Sequence, residues 1–366
     1  MAFGRMAAGA LVLFAVIGSE QPMFCESARV LSFSEIRKRW LKPSIFRSTG
    51  LSVSSNGVVY STASERREVR SLSVRDGTVR KLRLRGLPEE TNQWELGPEA
   101  AADQRGFLYV AGHGRQWSLR EEAPSRLFGV SVFRPDGRYS FTIHLIPSVD
   151  VRHIVVDGTG ELFVVGIDLS SLYRPAGGCL LVHKYSRRGT RLTSFSQCPA
   201  PELARSAGEQ PGQLFLRRQT TVMASQLFLH EGVLYHVLFS LRIIRMFDTQ
   251  GRLIRELHLE PPSGAPLGTS GLPQPANVGD EVVRVVLIQE GRFLVEWAHA
   301  EQSQWGQRKV RYLGLHDGQG RALSEVSPEP AARSVLLCAD KTGEVYFLGT
   351  PSNGHQELLC MRVCLH

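Results

Sequence analysis

The stretch Val155-Val156-Asp157-Gly158-Thr159-Gly160-Glu161-Leu162-Phe163-Val164-Val165-Gly166 decides the fold. An apolar run, a Gly-bearing tight turn and a second apolar run read as a β-hairpin. Beyond a polar stretch, Leu180-Leu181-Val182-His183-Lys184-Tyr185, the turn Ser186-Arg187-Arg188-Gly189, and Leu192-Thr193-Ser194-Phe195 read as a second hairpin. Two hairpins make one four-stranded meander. Such a sheet cannot bury both faces alone and needs copies of itself stacked on either side.

Copies recur along the chain. Gly57 leads Val58-Val59-Tyr60, Gly106 leads Phe107-Leu108-Tyr109-Val110, and Gly232 leads Val233-Leu234-Tyr235. Gly291 precedes Phe293-Leu294-Val295, and Gly343 precedes Val345-Tyr346-Phe347. Five of the six units, that around Gly160 among them, then carry a second turn, at Gly77, Gly137, Gly189, Gly251 and Gly320. The first-turn glycines of the six units are spaced 49, 54, 72, 59 and 52 residues apart, a period in the range of propeller blades. The expected fold is all-β, a six-bladed β-propeller of four-stranded antiparallel blades, because a sandwich has no reason to repeat one double hairpin six times. The last unit reaches His366 after three strands, and an open strand edge is an aggregation hazard. An N-terminal strand is therefore expected to close the ring, from residues 28–33 or 44–47, the earlier segment being preferred.

The Val-Asp-x-x-Gly-x-Leu-Phe-Val-Val-Gly unit at 156–166, followed by His-Lys-Tyr-Ser-x-x-Gly at 183–189, resembles NHL-repeat and related TolB-like six-bladed propellers. The resemblance covers roughly residue 51 to the end. It diverges between blades, since Asp157 and Asp340 match the acidic turn position whereas the first blade has Ser55-Asn56-Gly57. It implies a fold and carries no activity with it.

Composition narrows the setting. With 366 residues, 42% of them hydrophobic, the chain can bury a large core. Arg5 and the apolar run from Ala7 to Gly18 read as a signal peptide within residues 1–27, its cleavage point open among Gly18, Ser19 and Ser27. Residues 28–366 are then a single propeller domain, secreted or periplasmic, with no transmembrane segment in the mature chain, and expected to be a monomer. The net charge of +8 rests on arginine, since only six of 43 basic residues are lysines, and these residues are scattered along the chain. No nucleic-acid partner is expected from that distribution.

Six cysteines follow: Cys25, Cys179, Cys198, Cys338, Cys360 and Cys364. Cys179 and Cys198 flank the second hairpin of blade 3 symmetrically, so in a regular ladder they face each other. A disulfide there is expected, worth about 3 kcal/mol in the chain-entropy model, against reduced thiols or a register offset. Cys360 and Cys364 share a strand face but are too far apart to bond each other. One of them can bond Cys338 and the other Cys25, if processing spares it.

No catalytic motif stands out. The run His230-Glu231-Gly232-Val233-Leu234-Tyr235-His236 has the wrong spacing for a zinc-protease helix, and Gly268-Thr269-Ser270-Gly271 is no nucleophile elbow. His153, Asp157, Asp103 and Asp340 are inner-strand or adjacent candidates for a channel-mouth metal, but Asp157 and Asp340 precede tight turns and read as turn supports. No cofactor and no metal site is therefore expected. By propeller topology the long connections emerge on one face, the default recognition surface. It should carry Trp94, His113 and Trp117 (in 112–126), Tyr173 and Arg174 (in 167–178), and Trp305 (in 299–307), large side chains suited to contact. Segments 199–221 and 261–279, rich in Pro, Gly, Ser and Ala, read as insertions. The expected function is an exported, non-catalytic binding module for a protein, peptide or glycan. The alternative is a metal-dependent hydrolase or lyase of the gluconolactonase-like propeller type.

Overall fold

The computed structural model describes residues 31–41, 52–53, 57–63, 67–87, 95–116, 125–146, 149–168, 179–198, 224–262, 281–303, 306–324, 327, 330–331, 334–340, 342–349 and 356–365. The expected leader and Cys25 lie outside them.

Six antiparallel sheets follow one another as blades. Strand β1 (Leu31–Leu41) comes first in the chain and belongs to the last blade. Blade 1 is β2 (Ser52–Val53), β3 (Val58–Ala63), β4 (Glu68–Ser73) and β5 (Val79–Arg83). Blade 2 is β6 (Glu95–Ala102), β7 (Leu108–Gln116), β8 (Ser125–Phe133) and β9 (Tyr139–His144). Blade 3 is β10 (Val149–Val156), β11 (Leu162–Asp168), β12 (Leu180–Tyr185) and β13 (Arg191–Gln197). Blade 4 is β14 (Ser225–His230), β15 (Val233–Leu238), β16 (Ile243–Asp248) and β17 (Leu253–His258). Blade 5 is β18 (Glu281–Leu287), β19 (Phe293–Ser303) and β20 (Gly306–His316). Its fourth place is filled by an irregular segment, in which Leu323 donates to the Leu315 carbonyl (2.7 Å) and Leu313 and Ser327 exchange main-chain bonds. Blade 6 is β21 (Ser334–Ala339), β22 (Glu344–Gly349) and β23 (Gln356–Leu365), with β1 as its outer strand.

The ring thus closes as the missing strand required. The pairing runs from Leu31 opposite Leu365 to Leu41 opposite Gln356, so the closing strand takes the end of the preferred segment and extends well beyond it. An apolar cluster fills each of the six clefts between neighbouring blades. The cleft between last and first blades holds Leu41, Val59, Leu72, Leu348 and Leu358. Because blades are covered on both sides, strands such as β11 are buried at every residue, which explains the unbroken apolar run that marked the fold.

Local backbone chemistry agrees with the turn reading. The six first-turn glycines have φ between 70° and 82°, where a side chain is strained. The second-turn glycines do a further job: each of these turns packs on the outer strand of the preceding blade, Gly137 against Arg83, Gly251 against Phe195, Gly320 against His258. Gly77 meets Arg39 of β1 in the same way, so the closure repeats the contact made elsewhere around the ring. Among the described residues no helix is long and apolar enough to cross a membrane.

Candidate functional site

The first strand of each blade is innermost, and these strands bring chemistry together at the axis. Four of them carry a bulge, between Leu96 and Ala100, Val151 and His153, Val282 and Arg284, and Leu336 and Cys338. A bulge bends its strand and re-aims a side chain. Glu99, His153, Ser225 and Arg284 each stand seven residues ahead of their blade's first-turn glycine, so four blades hold a polar residue at one level.

Side chains at this level stitch neighbouring blades. His153 Nδ1 lies 3.4 Å from Glu99 Oε2 across the blade 2–blade 3 cleft. Gln226 donates its amide to the Val285 carbonyl and accepts from the Val285 N–H, both at 3.0 Å. Arg284 donates to the Leu336 carbonyl at 2.8 Å. Burial works against an imidazolium at His153, but the Glu99 carboxylate and the Ser225 main chain outweigh it, with Arg284 opposing, and hold the pKa above the ordinary histidine value. Burial pulls the Arg284 guanidinium down, while Cys338 and Glu99 push it up. Glu99 acts on Arg284 although their blades are three places apart in the ring, which puts both at the axis.

Two further polar clusters sit deeper between blades. Arg191 donates to His183 Nδ1 (2.7 Å) and to Asp168 Oδ2 (2.8 Å), so the neutral His183 ring carries its proton on Nε2. Burial, with Arg191 adding to it, pushes the His183 pKa down to about 4. His236 Nδ1 pairs with the Ser196 hydroxyl at 2.7 Å, and burial, then Arg245 and His153, lower its pKa to about 3. Arg245 also donates to the Gln197 carbonyl and to Glu256 Oε2 (2.7 Å), joining blades 3 and 4.

The acidic turn residues are committed to their turns. Asp157 Oδ1 accepts from the Thr159 and Glu161 N–H groups (2.8 and 2.9 Å) and from the Thr159 hydroxyl. Asp103 and Asp340 hold their turns in the same way.

The recognition residues fall largely beyond view. Trp94, Trp117, Tyr173, Arg174 and Trp305 lie outside the described residues, as do most of segments 199–221 and 261–279. His113 is not in a loop: β7 continues through it, opposite Glu95 and Phe128. Likewise most of 299–307 is strand, since β19 and β20 stay paired out to Ser303 and Gly306. Blades 2 and 5, on opposite sides of the ring, thus each raise a hairpin arm on the face of the second-to-third-strand connections. Trp117 follows the last residue of β7 in sequence, and Trp305 falls between β19 and β20.

The expected disulfide is corrected. The backbones of Cys179 and Cys198 do face each other, Cys198 N–H donating to the Cys179 carbonyl at 2.8 Å, but both are buried thiols. Opposed backbones are not sufficient for a disulfide, which also needs Cβ vectors that converge and a narrow range of S–S torsion. Nor does Cys338 bond Cys360 or Cys364: Tyr346 of β22 stands between Cys338 and Cys360, two strand spacings apart. Burial pushes the Cys338 thiol up to about 12.

Sequence reasoning named His153 but missed Glu99, Gln226 and Arg284. For Glu99 and Arg284 the signal was positional, seven residues ahead of the turn glycine, where the residue types share no chemistry; Gln226, six ahead of Gly232, carried no such mark.

No family model matches the chain, and no curated protein matches it in sequence. The chain is similar to a solved member of the DUF4221 family. That protein, from Bacteroides vulgatus, is 8% identical, with 92% of this chain and 99% of that one covered and a TM-score of 0.52. A protein of unknown function from Bacteroides thetaiotaomicron is 12% identical, over 91% of this chain and 76% of that one, at a TM-score of 0.42. A luciferin-regenerating enzyme is 9% identical over 91% and 95%, at 0.43. At such identity the likeness to the DUF4221 member speaks for the fold alone.

Proposed function

We propose that this protein is an exported, non-catalytic binding module of the NHL- or TolB-like kind, taking a protein, peptide or glycan between its two hairpin arms at the channel mouth. The observation that carries this reading is the pairing of those arms, raised by opposite blades on one face, above an axis where Glu99, His153 and Arg284 lie within electrostatic reach. Arms that flank a polar opening suit a ligand held from two sides. The metal-dependent hydrolase reading asks for several carboxylates converging on the channel, whereas Glu99 is paired with His153 and Asp103, Asp157 and Asp340 fasten their own turns.

The test is a glycan and peptide array screen of the processed protein, with metal analysis of the same sample. A ligand found there should bind at least tenfold more weakly to a variant with Trp117 and Trp305 replaced by alanine. Undiminished binding by that variant, or a stoichiometric metal whose removal abolishes turnover of a lactone or ester, contradicts the reading.

A further inference from the structure

One short basic run, Arg80 to Arg85, is joined in space by Arg134 and Arg138 of the next blade. Each outer strand ends against the second turn of the next blade, so outer strands and second turns form one belt around the ring. At the junction of blades 1 and 2 this belt is strongly cationic. The chain from Lys81 to Arg85 is extended, with Leu82 and Leu84 turned inward and Lys81, Arg83 and Arg85 exposed. Leu84 continues the pairing of β5 by donating to the Arg67 carbonyl at 2.8 Å. Arg85 then joins blade 2, donating to the Gly137 carbonyl (3.0 Å) and accepting from Tyr139 N–H (2.8 Å). This contact sets the exposed Arg134 and Arg138 beside the row, and Arg80 is exposed at its start.

Among the described residues none of Arg80, Lys81, Arg83, Arg85 or Arg134 has a carboxylate partner. The acids nearest in the ladder and turn are engaged elsewhere: Glu68, opposite Arg83, is held by Arg70 at 2.7 Å, and Asp136 by Arg138 at 3.4 Å. Unpaired cations on one edge strand repel one another, and an anion bound across them relieves that cost. Alternate residues of an extended strand repeat at about 6.8 Å, so Lys81, Arg83 and Arg85 form a straight row of charges at regular intervals.

We infer that this row is a binding surface for a linear acidic polysaccharide. A straight cationic row matches a chain that carries charge at repeated intervals along one direction. Its exposed side chains are lysine and arginine, whereas single-stranded nucleic acid is gripped by aromatic rings on which bases stack. This surface lies on the outer belt, apart from the arms and the channel, and stands whether or not those bind a ligand.

The experiment uses the full processed chain on immobilised heparin, a sulfated polysaccharide, with a twenty-nucleotide oligothymidylate as second probe. A K81E/R83E/R85E variant is compared with a charge-matched R188E/K309E/R362E variant altered at exposed sites on blades 3, 5 and 6. Circular dichroism melting checks that both fold. The expected result is at least a tenfold loss of heparin affinity and a flatter salt dependence in the first variant, with less than a threefold loss in the second. Equal losses in the two variants, or no retention of the parent protein at about 0.15 M salt, overturn the inference. Oligothymidylate binding as tight as heparin binding, and lost in the first variant alone, overturns the polysaccharide assignment in favour of nucleic acid.

Discussion

Gly320 has φ of 86°, and a side chain there would collide with the His258 carbonyl of the preceding blade. Gly232 has φ of 79° but nothing near the space a Cβ would take. The left-handed backbone costs alanine about 1–2 kcal/mol at either site, and the overpacked contact adds about 1–3 kcal/mol at Gly320 only. Gly320→Ala should therefore destabilise distinctly more than Gly232→Ala in urea unfolding; equal losses would mean that the second turn does not press on its neighbour. The buried histidines set a pH dependence. Above about 6.5 the unfolded rings are neutral like the folded ones, and the stability gained from keeping them so is fully present. It is lost as pH falls through about 4 for His183 and about 3 for His236. His153 runs the other way: its pKa is raised, so its contribution is complete below about 6.5 and lost as pH rises through the raised value. With two rings shifted down to values near 4 and 3, the thermal midpoint should fall as pH is lowered from 7 to 4, and His236→Gln should flatten that fall. An equally steep fall in the variant would remove His236 from the account.

Seams between blades are where elements depend on one another. Gln226 makes two bonds to Val285, bridging the inner strands of blades 4 and 5 in place of a shared ladder. Gln226→Ala leaves a main-chain donor and acceptor without that partner, and a loss of about 1–3 kcal/mol should appear in chemical denaturation. No measurable loss would show that the seam is held by apolar packing alone. The elements were unequally legible in the sequence. Blade 3 announced itself because its middle strands are buried on both faces, leaving an apolar run bracketed by Asp-Gly and Arg-Gly turns. The arms were read as loops because His113-Gly114-Arg115-Gln116 and Glu301-Gln302-Ser303 show no alternation, their pairing resting on main-chain bonds that any residue can make. The outer segment of blade 5, broken by Ser324 and Ser327, gave no strand signal either. The level of Glu99, His153 and Arg284 was hidden for another reason. Position relative to the turn glycine is common to the blades, but the residue placed there is not, and only the bulges that re-aim those side chains reveal a shared purpose.

At the scale of the whole molecule, stability depends on closure. Five blades each hold a second turn against the strand before it, and the sixth receives its outer strand from the other end of the chain. Without β1, β23 would present an unpaired edge and the cleft holding Leu41, Val59 and Leu358 would lose one wall. The register is specific enough to be trapped chemically, because Ser32 stands opposite the native Cys364. A single substitution, Ser32→Cys, therefore places two thiols face to face across the closing seam. After mild oxidation of that variant, mass spectrometry of its proteolytic peptides should find residue 32 joined to Cys364, with no such link in the parent protein. A folded variant in which neither oxidation nor a short bis-maleimide joins residue 32 to Cys364, or in which residue 32 is joined to any other cysteine, would contradict a ring closed by its N-terminal strand.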